Sequence, residues 1–357
     1  MSRDGMSYAP VGRPEPVCEP GDFVFAAVGL DHGHIYGMCN GLTEAGGQLR
    51  WVYDGDPVKV ADLCKQYPGA EPAPSEDFVL DDDRVRLVAS AAVPSLRAGI
   101  GLRAMAHGKH YFADKPPTTT LGQLAAVREA AARTGRKYAV YFGERLHSES
   151  AVFAGQLVAQ GAIGRVVQVM GMGPHRMNPA SRPGWFFAHD AHGGIICDIG
   201  SHQLEQVLFY GGCDDATITA ARVANYAHKQ YPGIEDFGDV SVVLGNGVTG
   251  YCRVDWFTPD GLGTWGDGRT FILGTEGYIE LRKYTDVARQ NGGGHVYLVD
   301  GGAEQHMDVS GRVGFPFFGE LILDCLEGTE RAMTQEHAFR AIELSLLAQE
   351  QAVRVEV

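Results

Sequence analysis

The chain lacks the features that mark several other classes of protein. Its seven cysteines, Cys18, Cys39, Cys64, Cys197, Cys213, Cys252 and Cys325, include no Cys-x-x-Cys pair, and an odd number cannot close a complete disulfide framework. Free thiols in a reducing cell are expected. No apolar run approaches the ~20 residues that span a bilayer, and no basic then apolar leader opens the chain. A cytoplasmic location follows, with no membrane partner. The formal charge of -14 repels phosphate backbones, and no cluster of Lys or Arg interrupts that field. Nucleic acid is not an expected partner. The two His/Asp groups, Asp31-His32-Gly33-His34 and His189-Asp190-Ala191-His192, match no familiar metalloenzyme spacing, so no metal site is expected.

What is present is enough apolar material for two cores: 45% of 357 residues. Residues 1–21 hold four prolines and little periodicity, and predict an irregular tail. Apolar runs at Phe23 to Val28, Leu49 to Tyr53, Val85 to Ala91, His110 to Ala113 and Lys137 to Phe142 alternate with helical stretches. Those stretches run from His34 to Ala45, Pro57 to Tyr67, Leu96 to His107 and Leu121 to Thr134. Apolar strands separated by helices predict a doubly wound parallel sheet over residues 22–143.

From residue 144 to 357 the texture is α+β. Helices are expected at Ser150 to Gln160, Ser201 to Phe209, Phe318 to Cys325 and Glu336 to Val353. Strands are expected at Val166 to Met172, Thr217 to Ala224, Phe237 to Leu244, Val248 to Trp256, Thr270 to Leu273 and Tyr278 to Arg282. Short Gly turns such as Gly245-Asn246-Gly247 make this second sheet largely antiparallel.

In a doubly wound sheet a ligand sits where strand ends meet helix N-termini. Gly29, Leu30, His32, Gly33 and His34 occupy that place, but Asp31 and His34 stand where the second and third glycines of G-x-G-x-x-G belong. A carboxylate facing a pyrophosphate opposes binding unless it turns outward or caps the helix. A turn without a nucleotide is the alternative. Asp54 ends the second strand about where an acidic residue accepts ribose hydroxyls, and Asp56 adds charge that disfavours a ribose phosphate. NAD is therefore expected over NADP.

Asp114-Lys115-Pro116-Pro117 follows a strand at the same sheet edge, where a held ammonium can orient a substrate hydroxyl. In Asp198-Ile199-Gly200-Ser201-His202, a helix starting near Asp198 would place carboxylate and imidazole on one face, suiting His202 to proton transfer. Between these motifs, the loop from Pro174 to His192 offers His175, Arg176, Arg182 and Trp185 as candidate substrate contacts. Carbohydrate sites pair aromatic platforms with polar groups in this way. A surface or subunit-contact loop is the other reading of that segment.

Asp114-Lys115-Pro116, Gly193-Gly194 and Asp198-x-Gly200-x-His202 together resemble the Gfo/Idh/MocA oxidoreductase family, from about Phe23 to the C-terminus. The resemblance implies a Rossmann domain and a C-terminal sheet domain used in oligomerisation, here as dimer or tetramer. It also implies NAD(P)-linked chemistry on a sugar, glycoside or cyclitol. By it Lys115 orients the hydroxyl, His202 is general base and acid, and Asp198 supports the same region. Ser90, Ala91 and Ala92 would line the nicotinamide, with Asp114 beside Lys115. Asp114 replaces the family's usual Glu, and Arg97 stands about where many members carry His. Two rival readings are oxidation followed by elimination with no net redox change, and a cofactor-binding sensor without chemistry.

Overall fold

In the computed structural model, residues 4–289 and 292–356 are described. They form two compact units, one of Met6–Tyr141 with Phe315–Phe339, the other of residues 4–5, Phe142–Gly314 and residues 340–356. A single division near residue 143 therefore misses the return of Phe315–Phe339 to the first unit.

The first unit runs β1 (Val24–Val28), α1 (His34–Glu44), β2 (Gln48–Tyr53), α2 (Pro57–Gln66), β3 (Glu71–Pro72) and α3 (Glu76–Asp81). It continues with β4 (Val85–Ser90), α4 (Pro94–Ala106), β5 (His110–Asp114), α5 (Leu121–Thr134) and β6 (Tyr138–Tyr141). All six strands are parallel, in the order β3-β2-β1-β4-β5-β6. β1 and β5 are buried at every position, as helices on both faces require. The helix starts follow local chemistry: Asp56 caps α2 at Val58 N with Pro57 in the first turn, and Thr120 caps α5 at Gln123 N. The order reverses between β1 and β4, which fixes the ligand-binding end.

The proline-rich start is irregular but anchored. Met6 lies over Gly33 at the head of α1, Asn40 Nδ2 donates to the Pro10 carbonyl at 3.0 Å, and Glu44 Oε1 accepts from Gly12 N at 2.9 Å. Residues 6–17 thus run the length of α1.

The second unit begins with α6 (Gly143–Leu146), α7 (Glu149–Ala159), β7 (Val166–Pro174), α8 (His189–His192) and α9 (Ser201–Gly211). It continues with β8 (Ala216–Ala224), β9 (Phe237–Leu244), β10 (Thr249–Asp255), β11 (Arg269–Gly274), β12 (Gly277–Arg282), β13 (His295–Asp300) and β14 (Glu304–Asp308). The chain then returns through α10 (Pro316–Glu327) to the first unit, and ends with α11 (Gln335–Gln351) and β15 (Val353–Arg354). The second sheet has the order β14-β13-β12-β11-β7-β10-β9-β8-β15. It is antiparallel except for the pairs β7/β10 and β8/β15. α9 covers one face, where Gln203 fills the space left by Gly171 and Gly173. On the other face Val243, Thr249, Gln168 and Leu273 form one cross-strand row, and Met170 stands beside Tyr251 and Phe271 in the next.

Candidate active site

At the carboxyl end of the first sheet, Gly29 turns the chain with φ +75°, and a Cβ there would meet the Cβ of Ala92 at 2.6 Å. Only glycine serves at that position. Hydrogen bonds from Ala91 N to the Gly29 carbonyl (3.0 Å) and from His32 N to the Ala91 carbonyl (2.8 Å) tie the loop to the small run Ser90, Ala91 and Ala92. Asp54 Oδ2 accepts from Leu30 N at 2.6 Å and Oδ1 from Asp56 N at 2.8 Å, which fixes the carboxylate at the end of β2.

Asp31 is turned aside rather than aimed at the helix axis. One oxygen pairs with Lys59 Nζ at 2.6 Å and the other accepts from Val93 N at 3.0 Å. Lys59 also lies 3.8 Å from Asp54. Asp56, expected to add charge beside the ribose, caps α2 instead, so part of its charge is spent on the helix N-terminus.

Asp114 and Arg97 are fully buried and joined at 3.0 Å. His34 Nδ1 lies 2.9 Å from the other oxygen of Asp114, and His32 Nδ1 lies 3.5 Å from the carboxylate. Burial alone would raise the Asp114 carboxyl, but His34, Arg97 and His32 hold it well below the usual range. Burial, with His34 second, pushes His32 well below its ordinary value. Its Nδ1 accepts from His34 N at 3.2 Å. Arg97 also donates to the carbonyls of Lys115 and Pro116, holding the segment that carries the buried Lys115. His32, His34 and Asp114 present ligand atoms within 4.8 Å of one another, a spacing a metal could bridge. The guanidinium on the same carboxylate opposes a second cation there.

In the second unit the helix carrying the Asp/His motif is not a plain α-helix. Ile196–Gly200 forms a π turn that runs into α9, so Asp198 and His202 do not follow simple α spacing. Single π turns inserted in helices recur at functional sites. His202 is 2% exposed and faces Phe142 edge-on with ring centroids 6.4 Å apart. Asp198 acts electrostatically on Arg182 and His192, opposing the lowering of both by burial.

His175 is buried, with Nδ1 3.1 Å from the Gly173 carbonyl and its ring against Trp265 (4.5 Å) and Trp256 (5.5 Å). Arg182 donates to the carbonyls of Met177 and Arg176 and lies over Phe186 and Trp256. Arg176 departs from the expectation of a substrate group. Its Nη2 donates to Pro259 at 2.9 Å and Leu262 at 2.6 Å, so it clamps a loop. Trp185 is half-buried beside Phe186.

Sequence reasoning missed three residues here. Glu144 is 3% exposed, and its Oε2 accepts from Gln203 Nε2 at 2.7 Å and from Lys283 Nζ at 3.1 Å. The charged pair Glu144-Arg145 directly after the apolar strand β6 was a readable signal. Lys283 and Gln203 gave none, because each is one polar residue at an element's end or on a helix face.

The matches to known families agree with this arrangement. Residues 27–142 match a model described as oxidoreductase family, NAD-binding Rossmann fold, and residues 152–280 match the GFO/IDH/MocA C-terminal domain. The chain belongs to the Gfo/Idh/MocA oxidoreductase family. A crystal structure of a protein from Erwinia carotovora atroseptica SCRI1043, assigned as an oxidoreductase, is 49% identical, with a TM-score of 0.91 over 94% of this chain and 100% of that one. Scyllo-inositol 2-dehydrogenase (NAD(+)) of Bacillus subtilis strain 168 is 27% identical over 71% of this chain and 72% of its own length. D-xylose dehydrogenase of Paenarthrobacter nicotinovorans is 29% identical, but the match spans only 41% of this chain and 38% of that protein. Among the described residues no helix is long and apolar enough to cross a membrane.

Proposed function

We propose that this member of the Gfo/Idh/MocA family is an NAD-dependent dehydrogenase acting on a secondary hydroxyl of a sugar, glycoside or cyclitol. The observation that carries the reading is His202, almost wholly buried beside a π turn and one turn after Asp198, in a chain whose other unit has a buried lysine at the nucleotide end. Lys115 orients the hydroxyl, His202 takes and returns its proton, and Asp198 supports the same group. His175, Arg182 and Trp185 contribute to substrate recognition, a duty from which Arg176 is withdrawn by its loop carbonyls. The inositol and xylose dehydrogenases among the relatives suggest the substrate class.

The residues of the first unit fit a nicotinamide dinucleotide. Gly29, Leu30, His32, Gly33 and His34 would face the phosphates, Asp54 the adenosine ribose, and Ser90, Ala91, Ala92, Asp114 and Lys115 the nicotinamide side. The cofactor supplies hydride acceptance when bound. Asp31 and Asp54 share a single lysine, Lys59, and that negative balance favours NAD over a ribose phosphate. The seven free thiols suit a cytoplasmic enzyme, and the half-exposed row of the second sheet suits a homo-oligomer.

The test is a panel of scyllo-inositol, D-xylose and other polyols with NAD and NADP, followed by nicotinamide absorbance together with product analysis. Turnover with NAD is expected. Product formation without any absorbance change would replace net oxidation by transient oxidation. Replacing His202 by Ala should lower turnover ~10²- to 10⁴-fold while nucleotide-induced thermal stabilisation persists. Unchanged turnover would reject the assignment.

A further inference from the structure

Glu144 is a buried group of the second unit that the proposed reaction does not use. Its Oε2 is taken by Lys283 and Gln203, and its Oε1 is buried with no hydrogen-bond partner among the described residues. A buried carboxylate oxygen with a spare lone pair is costly unless it faces a group that becomes positive. His202 is such a group: Gln203, which holds Oε2, is its neighbour on α9, and Phe142, two residues before Glu144, packs on its ring.

The charges around this point can be followed element by element. From α6 comes Glu144, and from the end of β7 comes His175. The residue after β12 is Lys283, and α9 brings His202 and Gln203. One turn along α9, Glu205 is paired with Arg145 and so is already neutralised. On the preceding π turn, Asp198 acts on Arg182 and His192. Burial would raise the Glu144 carboxyl, yet Lys283 first, then His202, His175 and the Gln203 hydrogen bond bring it down to about 2. The interaction with His202 is mutual, since a carboxylate stabilised by an imidazolium stabilises that imidazolium equally. Glu144 is thus ionised at every pH at which the histidines titrate.

We propose that Glu144, pinned through Oε2 by Lys283 and Gln203, is a positioning carboxylate whose charge favours the protonated form of His202, and with it that of His175. This rests on His202 being the proton-transfer group, though the interaction itself exists whether or not that role is correct. Asp198 acts on Arg182 and His192, and Glu144 adds its own charge to the surroundings of the imidazole.

The experiment is a histidine-ring NMR titration of the full-length protein, with the His202 signal assigned by its loss in His202→Gln. Three variants are compared with wild type. Glu144→Gln removes the charge, and Glu144→Asp keeps it. Glu144→Gln combined with Lys283→Met removes the buried pair together, so that no lone ammonium is left if the single variant does not fold. The His202 midpoint should fall by about one unit or more in Glu144→Gln, fall by less in the double variant, where loss of the Lys283 ammonium acts in the opposite sense, and stay near wild type in Glu144→Asp. In any polyol the enzyme oxidises, the acid limb of kcat/KM should move to lower pH by the same amount. A His202 midpoint that is unmoved on removal of the charge, or that moves equally in Glu144→Asp, overturns the proposal. If instead the midpoint falls as expected but His202→Ala leaves turnover intact, the electrostatic proposal stands and the assignment of His202 as base fails.

Discussion

At the scale of single residues the structure turns on buried charges that are each answered. Arg97 neutralises Asp114 and holds the carbonyls of Lys115 and Pro116, so Arg97→Ala should leave a buried carboxylate with only its two histidine neighbours and destabilise the protein by about 3–5 kcal/mol. Urea denaturation measures this, and a loss below about 1 kcal/mol would show that water or another cation replaces the guanidinium. Glu144 gives a pH signature. Its folded value near 2 lies below the ordinary 4.5, so its contribution is complete above pH 4.5 and disappears as pH falls toward 2. The stability gap between wild type and Glu144→Gln should therefore narrow over that window. A constant gap would mean that packing, not charge, makes the difference. Lys115, Asp198 and His202 could be singled out as candidates because a strand end followed by two prolines, and an Asp and His four residues apart, are local patterns. Lys283 and Gln203 could not, since their partnerships with Glu144 join residues 139 and 59 apart in the chain and leave no spacing to read.

At the scale of elements, the alternation of apolar runs and helices gave the doubly wound sheet because a strand buried on both faces must be apolar throughout. The failures have equally physical origins. The π turn is invisible because it is a matter of backbone hydrogen bonding over Ile196–Gly200, which no side-chain spacing records. β14 contains one apolar residue in Glu304–Asp308 and so carries no strand pattern. α10 was foreseen as a helix but assigned to the wrong unit. Its Phe318 lies against Gly41 of α1 and packs on the rings of Phe112 and Tyr141, contacts made across nearly the whole sequence. Gly41→Ala tests that docking. A helix interior ordinarily gains about 0.5–1 kcal/mol from this change, whereas the collision with the Phe318 ring should cost about 1–3 kcal/mol. A lower melting temperature is expected, and a raised one would show that α10 can slide.

At the scale of the whole molecule, the proposed homo-oligomer would form through the half-exposed side of the second sheet. Met170 and Leu273 are 36% and 37% exposed and Val243 is 38% exposed, on strands β7, β11 and β9 that are packed by helix only on the opposite face. Replacing Met170 and Leu273 by Asp should convert an oligomer to monomer in sedimentation velocity without changing the circular dichroism. An unchanged sedimentation coefficient would place the contact elsewhere. The chain path itself bears on how the protein comes into being. The first unit is closed by Phe315–Phe339, so a ribosome has finished β1 to β6 and then β7 to β14 before α10 emerges to cover α1. Throughout that interval the nucleotide-binding sheet waits with a helix face bare. About half of the chain is synthesised in that interval, during which such a face is open to other half-made chains.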